Sequence, residues 1–229
     1  MADTLLERDS KMEKIVIYGA GGLGREILEL INEANKKNYK YNILGFLDDG
    51  IIIEQNKVDI PLLGGIEFLK NIEYPIGVVF AISNVDIKQN IYKRIFQMDK
   101  GHYFPIIIAK NSYVSKRAML SEGTIVGRYC SVSTSVQLGK FVFLNTKCDI
   151  GHDAVIGDFC SLMPSVNVSG NVSVGQRTLI GVQSAILQGI KIGSDVTVGM
   201  GSKVVTDVPD NCTVMGYPAK IIARHEPKE

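Results

Sequence analysis

The residue best suited to chemistry in this sequence is His152, one of three histidines in the chain. Asp153 follows it directly, and a neighbouring carboxylate can orient an imidazole and help it accept a proton. This pairing is typical of a general base, which removes a proton from an attacking nucleophile. The alternative interpretation is a histidine that is solvated or that lies in a subunit interface.

A strict six-residue period surrounds this histidine. Every sixth residue from Ile108 to Val204 is Ile, Leu or Val, and the next position is often glycine. The position four residues after each aliphatic one is small or β-branched. This is the hexapeptide repeat of a left-handed parallel β-helix, in which three hexads form one triangular coil. We therefore expect the aliphatic side chains to fill the interior and residues eighteen apart to stack.

The repeat predicts where His152 points. It lies two positions after the inward Ile150, so its side chain should face outward near a corner of the coil. The residue eighteen positions later is Gly170, whose backbone N–H can stabilise an oxyanion if coil pairing leaves it available. A zinc centre of three histidines is disfavoured, because His102 and His225 lie outside the repeat and no metal is expected.

The cysteines of the repeat are predicted to belong to its core. Cys130, Cys148 and Cys160 occupy the small position of their hexads, where alanine and threonine also occur. A buried thiol in such a position behaves as a small apolar side chain. We therefore expect core packing at these positions, and neither a nucleophile nor a metal ligand.

A glycine motif lies in the first half of the chain. Gly19, Gly21 and Gly24 form G-x-G-x-x-G between a predicted strand and a predicted helix, where such a loop can hold a phosphate. Asp48 and Asp49 end the next strand, where a carboxylate can reach a ribose hydroxyl. Only about 90 residues precede the repeat, too few for a full dinucleotide fold, so a mononucleotide or a nucleotide-sugar is favoured over NAD. A tight turn without a ligand is the alternative.

These patterns predict the organisation of the chain. We expect a disordered lead-in at 1–12, an α/β Rossmann-like domain with a small parallel sheet at 13–105, an all-β left-handed parallel β-helix at 106–206, and a C-terminal cap or tail at 207–229. With 25 basic and 24 acidic residues, nucleic acid is not an expected partner. No apolar run is long enough for membrane insertion. The N-terminus lacks an apolar signal core and no C-x-x-C pair occurs, so a cytoplasmic location is expected.

Both halves, in this order, resemble the bacterial nucleotide-sugar acetyltransferases related to sialic acid O-acetyltransferase, which include enzymes of the bacillosamine and perosamine type. The matching segments are IVIYGAGGLGREI at 15–27, GFLDD at 45–49, NTKCDIGHDAVIGDF at 145–159 and VMGYPAKII at 214–222. The resemblance implies a homotrimer that transfers an acetyl group from acetyl-CoA to the 4-amino group of a UDP-, dTDP- or GDP-linked amino-deoxysugar. In such an enzyme His152 is the general base for direct attack on the thioester, and Asp153 is its acidic partner.

The resemblance also implies the binding residues. Those expected to contact the nucleotide-sugar are Gly19, Gly21, Gly22, Leu23, Gly24, Asp48, Asp49, Ser83 and Asn145. Those expected to contact acetyl-CoA are Ser161, Gly170, Val182 and Met200. Leu23 and Ser161 stand where relatives often carry histidine. Two alternatives stay open, an O-acetyltransferase of a sugar hydroxyl such as that of sialic acid, and a nucleotide-sugar-binding trimer without catalytic activity.

Overall fold

The computed structural model describes residues 12–38, 40–50 and 60–227. They form two compact units. One runs to Ile82 and includes Ile87–Pro105, and the other comprises Ser83–Asp86 and the residues from Ile106 onward. The predicted disordered lead-in at 1–12 lies outside the described residues, except for Met12. No helix in the described parts of the chain is long and apolar enough to cross a membrane.

The first unit is built on a three-stranded parallel sheet of order β2-β1-β3. Its elements are β1 (Glu13–Tyr18), α1 (Gly22–Asn38), β2 (Tyr41–Leu47), α2 (Glu67–Asn71), β3 (Gly77–Phe80) and α3 (Val85–Phe96). The first two residues of α3 are assigned to the second unit and the rest of the helix to the first. The central strand β1 is covered on both faces, so Ile15, Val16 and Ile17 are fully buried. Helix α1 buries Ile27 and Ile31, four residues apart on one face.

The second unit is a parallel β-helix of seventeen two-residue strands, one to each hexad, which stack into three faces. Face 1 contains β4 (Ile107–Ile108), β7 (Ile125–Val126), β10 (Phe143–Leu144), β13 (Ser161–Leu162), β16 (Leu179–Ile180) and β19 (Thr197–Val198). Face 2 contains β5 (Tyr113–Val114), β8 (Ser131–Val132), β11 (Asp149–Ile150), β14 (Asn167–Val168), β17 (Ala185–Ile186) and β20 (Lys203–Val204). Face 3 contains β6 (Met119–Leu120), β9 (Gln137–Leu138), β12 (Val155–Ile156), β15 (Ser173–Val174) and β18 (Lys191–Ile192).

The interior follows the predicted period with one difference. Each strand pairs in register with the strand eighteen residues later, as Ile150 does with Val168, and the aliphatic positions from Val126 to Val204 are buried. Ile108 is 39% exposed, although the period predicts that it points inward. It belongs to the first coil, which has a neighbouring coil on one side only.

The corners of the coils contain residues with left-handed backbone conformation. They recur every six residues, as at Lys147 and Asp153, which have φ angles of 60° and 58°. A positive φ is unfavourable for residues other than glycine. From Phe141 to Gly201 each such corner is held by its own N–H, which donates to a carbonyl nineteen residues earlier, as Asp153 N does to Thr134 O at 3.0 Å. The stack therefore fixes the conformation of these corners.

The small inward positions contribute hydrogen bonds as well as packing. A hydroxyl or thiol there donates to the backbone carbonyl fifteen residues later, as Cys130 Sγ does to Asn145 O at 2.9 Å. The same bond is formed by Ser112, Thr124, Cys148, Cys160, Thr178 and Ser184. Hydrogen bonding to Cys130 and burial raise the pKa of the Cys148 thiol, so it stays protonated at neutral pH. The prediction that these cysteines belong to the core is confirmed.

The C-terminal segment packs on the last coil. Strands β21 (Cys212–Gly216) and β22 (Ala219–Arg224) form an antiparallel hairpin, and β21 joins face 1 beside β19. Val208, Cys212 and Val214 are buried there, so apolar side chains continue the interior beyond the repeat.

Candidate active site

His152 and Asp153 form a pair at the corner between faces 2 and 3, which we call the 2–3 corner. His152 Nδ1 lies 2.8 Å from Asp153 Oδ2, and each side chain is 51% exposed. With its Nδ1 hydrogen donated to the carboxylate, the neutral ring carries its lone pair on Nε2. Among the described residues no hydrogen bond uses Nε2, so this atom can accept a proton from a bound substrate.

The backbone around this pair is fixed by the coils on both sides. Asp153 N donates to Thr134 O in the preceding coil, and His152 O accepts from Asn171 N in the following coil at 2.9 Å. Because these bonds belong to the repeat, His152 needs no further side-chain partner to hold its place. The pair therefore combines a rigid backbone with an accessible imidazole.

Gly170 lies directly against the imidazole ring. A Cβ atom at this position would be 2.6 Å from His152 Nε2 and 2.7 Å from Cε1, so only glycine leaves the ring where it is. The neighbouring Ser169 and Asn171 both donate their N–H groups to other coils. No hydrogen bond between described residues uses the Gly170 N–H, although Gly170 itself is buried within the chain.

Three other predicted contacts lie at a different corner. Asn145, Val182 and Met200 each follow a strand of face 1, so they occupy the corner between faces 1 and 2, which we call the 1–2 corner. Asn145 and Val182 are half-buried, whereas Met200 is 67% exposed. One side of the coil separates this corner from His152, so a single chain does not bring the two groups together.

Ser161 lies apart from both groups. It is an outward residue of face 1 and is fully buried, at 0% exposure. Its hydroxyl has no accessible surface within the chain, and the predicted contact of Ser161 with acetyl-CoA stays a prediction.

In the first unit the glycine loop shows which of its glycines are sterically required. Gly19 has a φ of 109°, and a Cβ there would be 2.6 Å from Ala81 O, while a Cβ at Gly24 would collide with Gly19 O. Gly22 is exposed, and a Cβ there would meet only Arg25 Nη2, at 3.9 Å. Gly21 and Leu23 are half-buried beside the N-terminus of α1, where unpaired N–H groups favour an anion. The mouth of the loop can therefore receive a phosphate.

The two aspartates after β2 turn in different directions. Asp48 Oδ2 accepts from Ala20 N at 2.9 Å, so its carboxylate lies against the glycine loop. Asp49 Oδ2 accepts from the Tyr18 hydroxyl at 2.6 Å, and its Oδ1 accepts from Ile66 N at 2.9 Å. Partial burial alone would raise the pKa of Asp49, but these hydrogen bonds outweigh burial and lower it. The structure thus separates two residues that the sequence treats as one pair.

Ser83 lines a cavity of about 350 Å³ in the second unit, together with Asp86 and His225. The wall of the cavity contains Arg177 and Asp195, which form a bidentate ion pair with Arg177 Nε 2.8 Å from Asp195 Oδ1. This pair was not predicted from the sequence. Its signal is the presence of opposite charges eighteen residues apart, which in-register stacking brings together.

The other two histidines have structural partners. His102 Nε2 lies 2.9 Å from Leu69 O, and His225 Nε2 lies 2.8 Å from Thr213 Oγ1. In the parts of the chain that the structure describes, no group of three or more His, Cys, Asp or Glu residues is arranged to hold a metal ion.

Comparison with known proteins identifies the family. The family model of the PglD N-terminal domain matches residues 14–95, and that of the hexapeptide repeat of succinyl-transferase matches residues 171–206. GDP-perosamine N-acetyltransferase of Escherichia coli O157:H7 is 31% identical over 216 residues, which cover 91% of this chain and 96% of that protein. The chain belongs to the bacterial nucleotide-sugar N-acetyltransferase family. It is therefore an acetyltransferase, and the predicted family and enzyme class are confirmed.

Solved structures agree with this assignment. The acetyltransferase domain of PglB from Neisseria gonorrhoeae, in complex with acetyl coenzyme A, has a TM-score of 0.83 and 29% identity, covering 92% of this chain and 100% of that one. PerB from Caulobacter crescentus, in complex with CoA and GDP-perosamine, has a TM-score of 0.80 and 26% identity, covering 92% of this chain and 97% of that one. The predicted fold class, a small parallel sheet followed by a left-handed β-helix, is confirmed.

Proposed function

We propose that this acetyltransferase transfers the acetyl group of acetyl-CoA to the 4-amino group of a nucleotide-linked amino-deoxysugar, with His152 as general base. The observation that carries the proposal is the arrangement at the 2–3 corner. Nδ1 of His152 is bonded to Asp153, and neither Nε2 nor the N–H of Gly170 has a partner among the described residues. A base and an oxyanion donor on one side of a rigid corner are the groups that direct acyl transfer requires.

The proposed chemistry is a direct transfer without an acyl-enzyme. His152 Nε2 removes a proton from the neutral amine as its nitrogen attacks the thioester carbonyl carbon, and Asp153 stabilises the imidazolium that forms. The Gly170 N–H donates to the carbonyl oxygen as it gains negative charge. When the C–S bond breaks, the imidazolium returns its proton to the leaving CoA thiolate. No metal and no oxidant take part in this balance.

The separation of the two corners supports a site shared between subunits. Asn145, Val182 and Met200 lie one side of the coil away from His152, a span of up to about 20 Å for six extended residues. In a homotrimer of parallel β-helices, the 2–3 corner of one chain can face the 1–2 corner of the next. We therefore propose that the residues of the 1–2 corner bind acetyl-CoA and the acceptor amine beside a neighbouring His152.

The nucleotide part of the acceptor is assigned to the glycine loop of the first unit. Gly22 is exposed at the N-terminus of α1, and Asp48 lies against the loop. The relative from Caulobacter crescentus was solved with CoA and GDP-perosamine, which supports a nucleotide-sugar acceptor here. We place the reaction in the cytoplasm, in keeping with the absence of a disulfide among the four cysteines of the described chain.

The deciding experiment measures CoA thiol release from acetyl-CoA with a panel of UDP-, dTDP- and GDP-linked 4-amino-4,6-dideoxy sugars. We expect release with one amino sugar, and its loss in His152→Ala although both substrates still bind. Release only with a hydroxyl acceptor such as sialic acid would replace the amine in the proposal. Nucleotide-sugar binding without release for any acceptor would indicate a binding protein.

A second experiment tests the shared site by mixing two inactive variants. His152→Ala removes the base, and Met200→Asp places a charge at the exposed 1–2 corner without disturbing the core. If each site uses the two residues from different subunits, random co-assembly leaves about one quarter of the sites intact, since each intact half occurs with a probability of about one half. No recovery of activity on co-expression would mean that both residues serve the same chain's site.

A further inference from the structure

We propose that Asp49 positions the glycine loop through Tyr18 and does not itself contact the nucleotide. This inference rests on the proposed binding of a nucleotide at the loop. The first observation is that Asp49 joins three separate segments of the first unit. Its carboxylate accepts from Tyr18 at the end of β1, from Ile66 N just before α2, and from Arg94 Nη1 on α3 at 3.4 Å.

Tyr18 is the part of this network that reaches the loop. It is the last residue of β1, directly before Gly19, and only 2% of its surface is exposed. Burial and the Asp49 carboxylate raise the pKa of its hydroxyl, so the hydroxyl remains a donor throughout the ordinary pH range. Its side chain is thus held from one end by Asp49, while its backbone leads straight into the glycine loop.

The space around Asp49 supports the same assignment. A Cβ atom at Gly65 would collide with Asp49 Oδ1, so the carboxylate lies directly against the backbone of the segment before α2. The next residue, Ile66, donates its N–H to the same oxygen. Asp49 Oδ1 therefore faces the segment before α2, whereas Oδ2 faces the Tyr18 hydroxyl and, at 3.4 Å, Arg94 of α3.

Asp48 provides the contrast that makes the inference testable. It accepts from Ala20 N inside the loop and from Gly50 N at 3.0 Å, and neither bond directs it toward α2 or α3. Asp48 is therefore the aspartate placed to meet a ligand at the loop. Asp48 would therefore act by contact with the nucleotide, whereas Asp49 would act on the loop through the buried Tyr18.

The test compares direct binding of UDP, GDP and dTDP by calorimetry to the full-length protein and to three variants. Tyr18→Phe removes only the buried hydroxyl, Asp49→Asn removes the charge, and the third variant combines both. We expect each single variant to weaken nucleotide binding by up to about tenfold, the range of one partly exposed hydrogen bond to a charged group. The double variant should bind the nucleotide no more weakly than the weaker-binding single variant, because both substitutions break the same hydrogen bond between Tyr18 and Asp49.

The control variant is Asp48→Asn. When it is combined with Tyr18→Phe, nucleotide binding should weaken by the product of the two single fold-changes, because the two aspartates act separately. In steady state, the KM for the nucleotide-sugar should rise in Tyr18→Phe and Asp49→Asn, with the KM for acetyl-CoA and the melting temperature little changed. Weak binding by Asp49→Asn together with normal binding by Tyr18→Phe would overturn the proposal, since Asp49 would then act by contact. If the unaltered protein binds none of the three nucleotides, the proposed nucleotide site itself is wrong.

Discussion

The 2–3 corner and the glycine loop are held in place by different means. At the corner, His152 has one side-chain partner, and its backbone is fixed by bonds that recur throughout the β-helix. In the loop, Gly19 and Gly24 fit against specific backbone atoms, and Asp48 bonds to Ala20 N from another strand. A residue of the corner can therefore be changed with an effect on chemistry alone, whereas a change in the loop alters both the fold and the site.

The sharpest test of this difference is His152→Ala. General acid–base catalysis contributes about 10²- to 10⁴-fold, so kcat should fall by that amount. The backbone bonds of residue 152 do not involve the imidazole, so the melting temperature should stay within about 1–2 °C of the unaltered protein. Stopped-flow or coupled detection of CoA thiol measures the first quantity and calorimetry the second.

His225→Ala is the matched control for this prediction. His225 bonds to Thr213 Oγ1 and lies at neither the 2–3 corner nor the 1–2 corner, so its removal should leave kcat nearly unchanged. A large loss of melting temperature in His152→Ala would contradict the view that the corner is fixed by the repeat alone.

Gly170→Ala tests the same corner through the residue that lies against the imidazole ring. The added methyl group would lie within 3 Å of three imidazole atoms, so the ring must move away from its position beside Asp153. We expect kcat to fall by roughly 10- to 100-fold, because a displacement of about 1 Å in a catalytic group can cost about 10²-fold. In a His152→Ala background the same change should cost nothing more. A further loss there would show that the Gly170 backbone acts independently of the ring.

The difference between the regions also explains what could be predicted from the sequence. The six-residue period predicts the β-helix, and a step of eighteen places Gly170 against His152, because in-register pairing converts a difference in residue number directly into a position in space. The same step gives Ser161 an outward position but does not tell which of the three faces is covered, so its burial could not be foreseen. The pairing of Arg177 with Asp195 follows from the same step of eighteen residues but was not predicted.

In the first unit the sequence predicts the strand, glycine loop and helix but not the direction of each aspartate. Asp48 and Asp49 are consecutive, and nothing in their spacing separates their roles. Asp49 turns toward Ile66 and Arg94, which lie 17 and 45 residues away. Such contacts depend on how distant segments pack, and no periodic pattern encodes them.

Gly24→Ala tests whether the glycine loop depends on its close backbone packing. The added Cβ would collide with the carbonyl of Gly19, so the loop or the start of α1 must shift. We expect a loss of about 1–3 kcal/mol in the free energy of unfolding of the first unit, the usual cost of overpacking, together with weaker nucleotide binding. Denaturant titration and calorimetry measure the two effects. Gly22→Ala is the matched control for stability, since its Cβ would meet only Arg25 Nη2, at the ordinary contact distance of 3.9 Å. Equal destabilisation by both variants would mean that α1 disfavours any side chain near its start.

The smallest expected effect concerns the thiols inside the β-helix. Cys130→Ser keeps a donor for Asn145 O and should be nearly neutral, whereas Cys130→Ala removes the donor and leaves a buried carbonyl with one bond fewer. We expect Cys130→Ala to lower the free energy of unfolding by about 1 kcal/mol relative to Cys130→Ser. Because Asn145 lies at the 1–2 corner, kcat and the KM for acetyl-CoA are measured on the same samples. Equal stability of the two variants would show that the thiol contributes packing alone, and that the repeated bond to the carbonyl fifteen residues later carries no free energy of its own.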